Sequence, residues 1–403
     1  MIKRIFMIGF LLLLVAGIGA ALWYYRPWSK YSPYRIAEMQ KPENLVNTFR
    51  SMKDYFPFKV IQKSSTISEF ESDIAPLPVT YEWQGKTKTL DQYNREGVTT
   101  GLLVLKNGKI RHEAYLHEAN RETLFTSWSM AKSFIATAIF MALKEGKLSS
   151  LDDKAEKYAP QFRGSAFGDS SVRDLLTMST GVDFNERYSD PDSDIRPYFF
   201  NTFILGINAD KLLLPFKRNR PPQTDFHYIS PNSQVLASVL RGLYQKPLVE
   251  IISEKIWKPL GMEHDAYWNQ NVEGREGLAL GYCCLNATLR DFARLGRFYI
   301  NAHKGQGKGP ELLPEGWPEV LRKPVSPKHK PNGKHYHGRG YSYHFWLPND
   351  PDEEYFAAGV YGQFIWIDPK RDIVIVRTAA DAEWTPRSLE SMAVLKAIAR
   401  YYD

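Results

Sequence analysis

The stretch SMAKSFIATAIFMALKEG, residues 129–146, contains a serine and a lysine three residues apart at the start of a long apolar tract. The tract is typical of a buried helix, and Gly146 is well placed to end that helix. Residues three apart lie on one face of a helix, one turn apart. The free N–H groups at a helix N-terminus suit a serine whose attack on a carbonyl creates an oxyanion. The apolar surroundings should desolvate Lys132, which lowers a lysine's pKa and lets the neutral amine take a proton from Ser129.

The Ser-x-x-Lys spacing by itself is weak evidence, because about one or two such pairs occur by chance in a chain of this length. The usual outcome for such a lysine is an exposed position on a helix. The apolar residues that follow Lys132 favour the catalytic interpretation, since they leave little polar surface nearby to form a solvated face.

Two further motifs could supply the other groups that acyl transfer needs. The segment DFHYISPNSQVL, residues 225–236, places Tyr228 two residues before Ser230 and directly ahead of an amphipathic helix. A tyrosine oxygen beside a lysine can shuttle a proton, although a buried tyrosine with one satisfied hydroxyl is commoner. The segment FAAGVYGQFIWIDP, residues 356–369, is a small-residue turn leading into a strand. Backbone N–H groups at such a turn can approach a ligand closely.

In this order and in these surroundings the three motifs resemble the β-lactamase-related serine hydrolases. This family includes class C β-lactamases, D-alanyl-D-alanine carboxypeptidases, esterases and 6-aminohexanoate-dimer hydrolase. The resemblance runs from Thr99 to the C-terminus, about three quarters of the chain. Four other segments are similar to recurrent stretches of the family: SVRDLLTMSTGVDFNERYSDPDSDI (171–195), SEKIWKPLGMEHDAYW (253–268), LNATLRDFARLG (285–296) and IDPKRDIVIV (367–376).

The resemblance implies a role for each motif. Ser129 would be the acylated nucleophile, and Lys132 and Tyr228 would share proton transfer. The backbone N–H groups of Ser129 and of Val360, which follows Gly359, would form the oxyanion hole. The resemblance implies no metal and no cofactor.

Two positions depart from the lactamase pattern. Ser230 stands where the lactamases have asparagine, and Ala357-Ala358-Gly359 stands where they have Lys-Thr-Gly and relatives often His-x-Gly. Both departures resemble the 6-aminohexanoate-dimer hydrolase and esterase branch, whose substrate-contacting tyrosine would fall on Tyr188. Tyr188, Ser230 and Gly359 are therefore the expected substrate-binding residues. Ala357 provides no cation where the lactamases have lysine. We therefore expect hydrolysis of short-chain p-nitrophenyl esters and much slower penicillin or cephalosporin hydrolysis.

The N-terminus has the composition of a membrane segment. After two basic residues, the chain is uncharged from Ile5 to Tyr25, 21 residues that would span roughly 30 Å as a helix. An uncleaved anchor is favoured over a cleaved signal peptide, although Gly19-Ala20-Ala21 would offer a cleavage site. The expected location is the inner membrane, single-pass, with the catalytic domain in the periplasm, or secretion if cleavage occurs. Aromatic residues typical of an interfacial belt lie at the far end of the run: Trp23, Tyr24, Tyr25 and Trp28.

The sequence predicts three regions: residues 1–25 as anchor or signal, 26–98 as a tether and N-terminal extension, and 99–403 as the hydrolase domain. A hairpin around KNGK, residues 106–109, precedes the serine motif. Helices and loops fill about 150–280, and further strands lie near the C-terminus. Strands at both ends with helices between them predict an α/β (α+β) sandwich of the β-lactamase/transpeptidase type. Its mainly antiparallel sheet would be flanked by helices, with Ser129 at the interface with an inserted helical domain.

Composition excludes several classes. At 43% hydrophobic and 24% charged, the chain is neither disordered nor fibrous. The net charge of +7 is too diffuse for a nucleic-acid interface, and much of it lies in a basic loop at 321–340. Cys283 and Cys284 are expected to be two small buried side chains with no structural bridge. Four histidines in or beside the basic loop are weak zinc candidates, because no carboxylate spacing accompanies them: His329, His335, His337 and His344.

We therefore expect an exported serine hydrolase that cleaves an ester or amide bond of a small-molecule substrate. Class C β-lactamase or D-alanyl-D-alanine carboxypeptidase chemistry is the first alternative, because Lys217, Arg218 and Arg220, close before Tyr228, could replace the missing cation. The second alternative is a catalytically silent cell-envelope binding protein that keeps the pocket to hold a ligand.

Overall fold

The computed structural model describes residues 2–331 and 338–403 of the chain, so His335 and His337 lie outside the described residues. Helices α1 to α14 are Ile2–Tyr25, Pro33–Met39, Leu45–Thr48, Leu90–Glu96, Ala131–Lys144, Val172–Leu176, Ile195–Phe203, Ala209–Leu213, Ser230–Tyr244, Leu248–Ile252, Leu289–His303, Gly309–Leu312, Trp317–Leu321 and Ser388–Arg400. Strands β1 to β13 are Phe58–Ile61, Thr80–Trp83, Lys86–Thr89, Thr99–Lys106, Lys109–Tyr115, Phe125–Thr126, Ala266–Asn269, Leu285–Ala287, Gly340–Ser342, Phe345–Leu347, Tyr355–Gly359, Gln363–Asp368 and Ile373–Ala379.

The central sheet joins the two ends of the hydrolase region. Its strand order is β5-β4-β13-β12-β11-β10-β9, and every neighbouring pair is antiparallel. The β4–β5 turn holds Asn107 and Gly108 at φ of 52° and 77°, the left-handed region that tight hairpin turns require. The expected antiparallel sheet built from distant segments is confirmed.

Strands β12 and β13 are apolar on both faces, which explains why helices cover both sides of the sheet. Ile365 and Val374 belong to a core beneath α5 and α11, whereas Trp366 and Ile375 belong to a core beneath α14. Successive side chains of a strand point to opposite faces, so continuous apolar runs create two buried layers. The helices α6 to α10 lie between β6 and β7 in the chain, as the expected inserted helical region.

The segment that follows the first helix is part of the main core. Strand β1 pairs antiparallel with β7 in a second sheet of order β1-β7-β8-β6. The extension also contributes seven buried side chains to the larger hydrophobic core: Ile36, Met39, Leu45, Phe49, Met52, Phe56 and Ile61. Four of these residues also wall one side of the site described below: Ile36, Met39, Leu45 and Phe49.

Helix α1 extends away from this core. Within its residues Lys3–Tyr25, an 18-residue window has a mean hydropathy of 2.7 and none of it is buried, so by length and composition the helix can cross a membrane. Seven residues, 26–32, connect it to α2. The ring of Tyr34 at the start of α2 lies 6.1 Å from that of Tyr24 and 5.1 Å from that of Tyr25.

The expectation that the two cysteines form no bridge is wrong. Cys283 and Cys284 are joined by a disulfide between adjacent residues, and both are buried. Cys284 has a φ of 72°, a left-handed conformation that is uncommon for residues other than glycine. Sequence spacing gives no indication of this local backbone conformation, which explains why the bridge was not expected.

Candidate active site

A strained turn presents Ser129. Strand β6 ends at Thr126, and Ser127 is then held against β8 by two hydrogen bonds. Its backbone N–H donates to the carbonyl of Leu285 at 2.7 Å, and the N–H of Leu285 donates to Ser127 Oγ at 3.1 Å. Trp128 follows at a φ of 44°. Bulky residues rarely adopt this region, and such strain persists only where the surrounding structure imposes it.

Two aromatic rings pack against Trp128 and hold the turn in place. The ring of Phe49, from the N-terminal extension, lies 5.3 Å away, and that of Tyr361, just beyond β11, lies 5.6 Å away. Phe49 also accepts a backbone hydrogen bond from Thr126 at 3.0 Å. The extension therefore supports the turn that carries Ser129.

Ser129 and Lys132 are in direct contact. Lys132 Nζ lies 2.8 Å from Ser129 Oγ and donates to the carbonyl of Tyr282 at 2.7 Å. Lys132 is 2% exposed, in accord with the desolvation expected from its apolar helix. Burial lowers the pKa of Lys132 to about 8, against an opposing effect from the negative charge of Glu186. A substantial fraction of the amine is thus neutral near physiological pH.

The Tyr282 carbonyl orients that neutral amine. A neutral amine has two N–H donors and one lone pair, whereas an ammonium has three donors and no acceptor. With one N–H directed to Tyr282, the lone pair can turn toward Ser129 Oγ. Lys132 can then accept the hydroxyl proton as Ser129 attacks a carbonyl carbon.

Tyr228 lies beside this pair. Lys132 Nζ is 5.2 Å from the centroid of the Tyr228 ring, and the ring stacks on Trp346 with centroids 5.3 Å apart. The tyrosine is 7% exposed and directly precedes α9. The structure therefore brings Ser129, Lys132 and Tyr228 together from segments 100 residues apart.

A buried acid, Glu186, joins the site and was not predicted. Ser230 Oγ donates to one of its carboxylate oxygens at 2.6 Å, and the Ser230 backbone N–H donates to the other. The Tyr188 hydroxyl donates to the same carboxylate at 3.0 Å. Burial raises the pKa of Glu186, while Lys132 and these hydrogen bonds act against that rise.

Contact with Glu186 leaves Ser230 and Tyr188, the two polar residues expected to bind substrate, in different environments. Ser230 is 2% exposed and is engaged with Glu186, whereas Tyr188 is 43% exposed and reaches the open space above Ser129. The carboxylate stands two residues before Tyr188 in NERY, a proximity that could have drawn attention to it.

Gly359 allows two backbones to approach at the end of β11. A Cβ atom at this position would lie 2.4 Å from the carbonyl oxygen of Ser127 and 3.1 Å from the backbone nitrogen of Ser129. Glycine therefore lets the strand end pack directly on the serine turn. Val360, the next residue, lines the space around Ser129. This placement suits two N–H groups that together receive an oxyanion.

Two clefts meet at Ser129, with Tyr188, Val360 and Trp384 shared between them. The polar cleft has a volume of about 1040 Å³, and six of its lining residues in the described part of the chain are charged: Glu186, Arg187, Arg220, Asp225, Lys328 and Arg339. The apolar cleft, of about 870 Å³, is walled on the side of the extension and of α7 by Ile36, Met39, Leu45, Phe49, Phe199 and Phe200.

The described histidines of the weak zinc candidate are structural. His329 contacts the carbonyl of Thr177 at 2.9 Å, and His344 contacts that of Leu176 at 2.9 Å. Burial lowers the pKa of His344 to about 3, so this ring is neutral. Within the described part of the chain, no group of three or more His, Cys, Asp or Glu side chains could hold a metal.

Comparison with known families shows which family this chain belongs to. The family model described as Beta-lactamase matches residues 84–398. The chain belongs to the Beta-lactamase family. The chain is similar to the 6-aminohexanoate-dimer hydrolase of Paenarthrobacter ureafaciens. The two are 27% identical over 305 residues, which cover 72% of this chain and 75% of that protein. A D-aminopeptidase of Brucella anthropi is 25% identical over 194 residues, 44% of this chain and 34% of that protein.

Solved structures show the same fold. A Bacillus anthracis protein assigned as a 6-aminohexanoate-dimer hydrolase superposes with a TM-score of 0.78 at 22% identity, covering 93% of this chain and 97% of that one. EstCE1, a hydrolase with promiscuous acyltransferase activity, superposes with a TM-score of 0.62 at 16% identity, covering 78% and 96%. The resemblance inferred from the three motifs and the β-lactamase/transpeptidase-like fold are both confirmed. This Beta-lactamase family member is a serine hydrolase.

Proposed function

We propose that the enzyme cleaves an ester or amide bond through an acyl-enzyme on Ser129. The observation that carries this proposal is the 2.8 Å contact between Ser129 Oγ and Lys132 Nζ, in a buried setting that lowers the pKa of the lysine to about 8. A nucleophile needs an adjacent base that is partly unprotonated at working pH, and the lowered pKa of Lys132 supports that role.

The chemistry then proceeds in two stages. Ser129 Oγ bonds to the substrate carbonyl carbon as its proton passes to Lys132 Nζ. The resulting oxyanion is held by the N–H groups of Ser129 and Val360. Lys132 and Tyr228 return the proton to the departing alcohol or amine as its bond to the carbonyl carbon breaks. Water attacks the acyl-enzyme by the same route and releases the acid.

An ester or linear amide fits the site better than a β-lactam. Ala357 is buried and Ala358 lines the polar cleft, so neither offers a cation to a substrate carboxylate. Of the three basic residues considered as replacements, Arg220 lines the polar cleft, where it lies 4.0 Å from Asp225. Arg218 is instead engaged with the carbonyl of Thr180 at 3.0 Å. Because Asp225 partly neutralises its charge, Arg220 is a weak substitute for a cation at the position of Ala357.

A fluorophosphonate probe tests the proposed function. The reagent phosphonylates an activated serine, so the wild-type protein should be labelled and the folded Ser129→Ala variant should not. Ser133→Ala, one helical turn further on, is a control that keeps the label, because Ser133 Oγ donates to the His344 carbonyl at 2.7 Å away from the clefts. A folded wild-type protein that takes up no label would support the silent binding protein instead.

Substrate comparison separates the hydrolase from the lactamase alternative. Loss of a charge-assisted hydrogen bond to the substrate carboxylate lowers selectivity for that carboxylate by roughly ten- to hundredfold. We therefore expect p-nitrophenyl ester turnover at least tenfold faster than nitrocefin turnover. Comparable rates for nitrocefin and the best ester would contradict this expectation and would show that the enzyme acts as a β-lactamase.

We further propose that α1 is an uncleaved membrane anchor with the hydrolase domain exported. Its length, its hydropathy and the basic residues Lys3 and Arg4 at its start support this topology. The full chain should stay in the membrane pellet after carbonate extraction, whereas a chain beginning at Ser29 should be released. A mature soluble form that begins near Ala21 or Leu22 would show instead that the segment is a cleaved signal.

A further inference from the structure

The apolar cleft is larger than the reaction at Ser129 requires. Formation of an acyl-enzyme needs a nucleophile, a base and oxyanion donors, and the proposed function assigns these roles to Ser129, Lys132 and the backbone N–H groups of Ser129 and Val360. The cleft adds about 870 Å³ of space, walled mainly by aliphatic and aromatic side chains. Among its described lining residues, Arg196 is the one charged side chain.

The two clefts differ in their position relative to Tyr228. Tyr228 lines the polar cleft and does not line the apolar one. In the proposed mechanism Tyr228 helps protonate the departing group, which must therefore leave on the polar side. The acyl part, still bonded to Ser129 at that moment, then extends into the apolar cleft. This step of the argument rests on the proposed function.

The mouth of the apolar cleft is also apolar. Phe200, which lines the cleft, is 43% exposed, and Leu205 and Ile207 follow it in the chain at 45% and 38% exposure. The backbone N–H of Leu205 donates to the carbonyl of Phe200 at 3.3 Å, so this exposed apolar segment begins next to Phe200. Exposed apolar residues grouped at a cleft mark a surface that meets an apolar ligand.

We propose that the apolar cleft is an acyl-chain site and that the substrates are amphiphiles. An apolar acyl chain of six or more carbons occupies the apolar cleft, joined by an ester or amide bond at Ser129 to a polar leaving group in the polar cleft. Full burial of one methylene is equivalent to about a fourfold gain in binding of the transition state. Chain length is therefore the main determinant of specificity on the acyl side.

A series of p-nitrophenyl esters tests this inference with the full chain at a fixed detergent concentration. From acetate through butyrate and hexanoate to octanoate, kcat/KM should rise at least threefold at each step. A flat or falling series in an active enzyme would overturn the acyl-chain site and leave the proposed function standing. Absence of both ester hydrolysis and fluorophosphonate labelling would contradict the proposed function itself.

A matched pair of variants assigns the effect to the cleft. Phe200→Asp puts a charge in the lining of the apolar cleft. Because Phe200 is exposed, we expect the variant to fold. Octanoate turnover should fall at least tenfold, whereas acetate turnover should fall less than twofold. Ile74→Asp, at an exposed apolar residue that lines neither cleft, should keep the wild-type series. Gln40→Trp, at an exposed lining residue directly after α2, should also selectively lower octanoate turnover. If both lining variants lost acetate and octanoate turnover equally, the placement of the acyl chain in the apolar cleft would be refuted.

Discussion

Replacement of Lys132 by arginine is expected to lower kcat/KM for an activated ester by about 10²–10⁴-fold. Arginine remains protonated at every accessible pH, so it cannot accept the Ser129 proton, although it retains the positive charge. The test is steady-state ester hydrolysis by the folded variant. Lys144→Arg, at the exposed end of the same helix, is the matched control and should retain wild-type rates.

The same lysine sets the expected pH dependence. Because burial lowers its pKa to about 8, the ammonium predominates below that pH and the neutral base predominates above it. The kcat/KM of the wild-type enzyme should therefore rise with pH through about 8 and then level off. A Lys132→Arg enzyme with near wild-type activity, or a wild-type rate that is constant from pH 6 to 9, would contradict the role of Lys132 as the base.

Replacement of Gly359 by alanine is expected to reduce kcat by about 10²–10³-fold, the usual effect of losing one oxyanion donor. The new Cβ would lie 2.4 Å from the Ser127 carbonyl oxygen, far inside contact distance. Since that oxygen belongs to the backbone, the strand end itself must move, carrying the Val360 N–H away from Ser129. Ester turnover and thermal unfolding of the purified variant measure the two effects separately.

Gly296→Ala provides the steric control for this variant. A Cβ at Gly296, on α11, would lie 2.4 Å from Cγ1 of Val374, so it introduces a comparable clash remote from the clefts. Both variants should be less stable than the wild type, but only Gly359→Ala should show a low kcat while folded. Equal kcat values in the two folded variants would remove the oxyanion role from this strand end.

Sequence reasoning succeeded where chemistry and local pattern coincide. The apolar tract after Ser129 predicts a buried helix, and the structure has α5 there with Lys132 enclosed. The KNGK turn predicts the β4–β5 hairpin, because Asn and Gly tolerate the left-handed backbone that the turn needs. In each case the information lies within a few consecutive residues.

The features that were missed depend on contacts between distant segments. Glu186 is an ordinary surface residue type until the start of α9 brings Ser230 against it, 44 positions along the chain. Phe49 supports the serine turn only because the extension packs into the core, where β1 meets β7 more than 200 residues later. Neither relationship leaves a periodic or compositional trace in a single sequence.

The link between α1 and α2 has a consequence for how the enzyme meets its substrates. Seven residues reach at most about 25 Å even when fully extended, so a membrane-inserted α1 would keep the wall of the apolar cleft close to the headgroups. Amphiphiles that partition into that leaflet would then be encountered by lateral diffusion in two dimensions. The governing concentration becomes the mole fraction of substrate in the surface, and dilution with inert lipid slows turnover even when the bulk amount is unchanged.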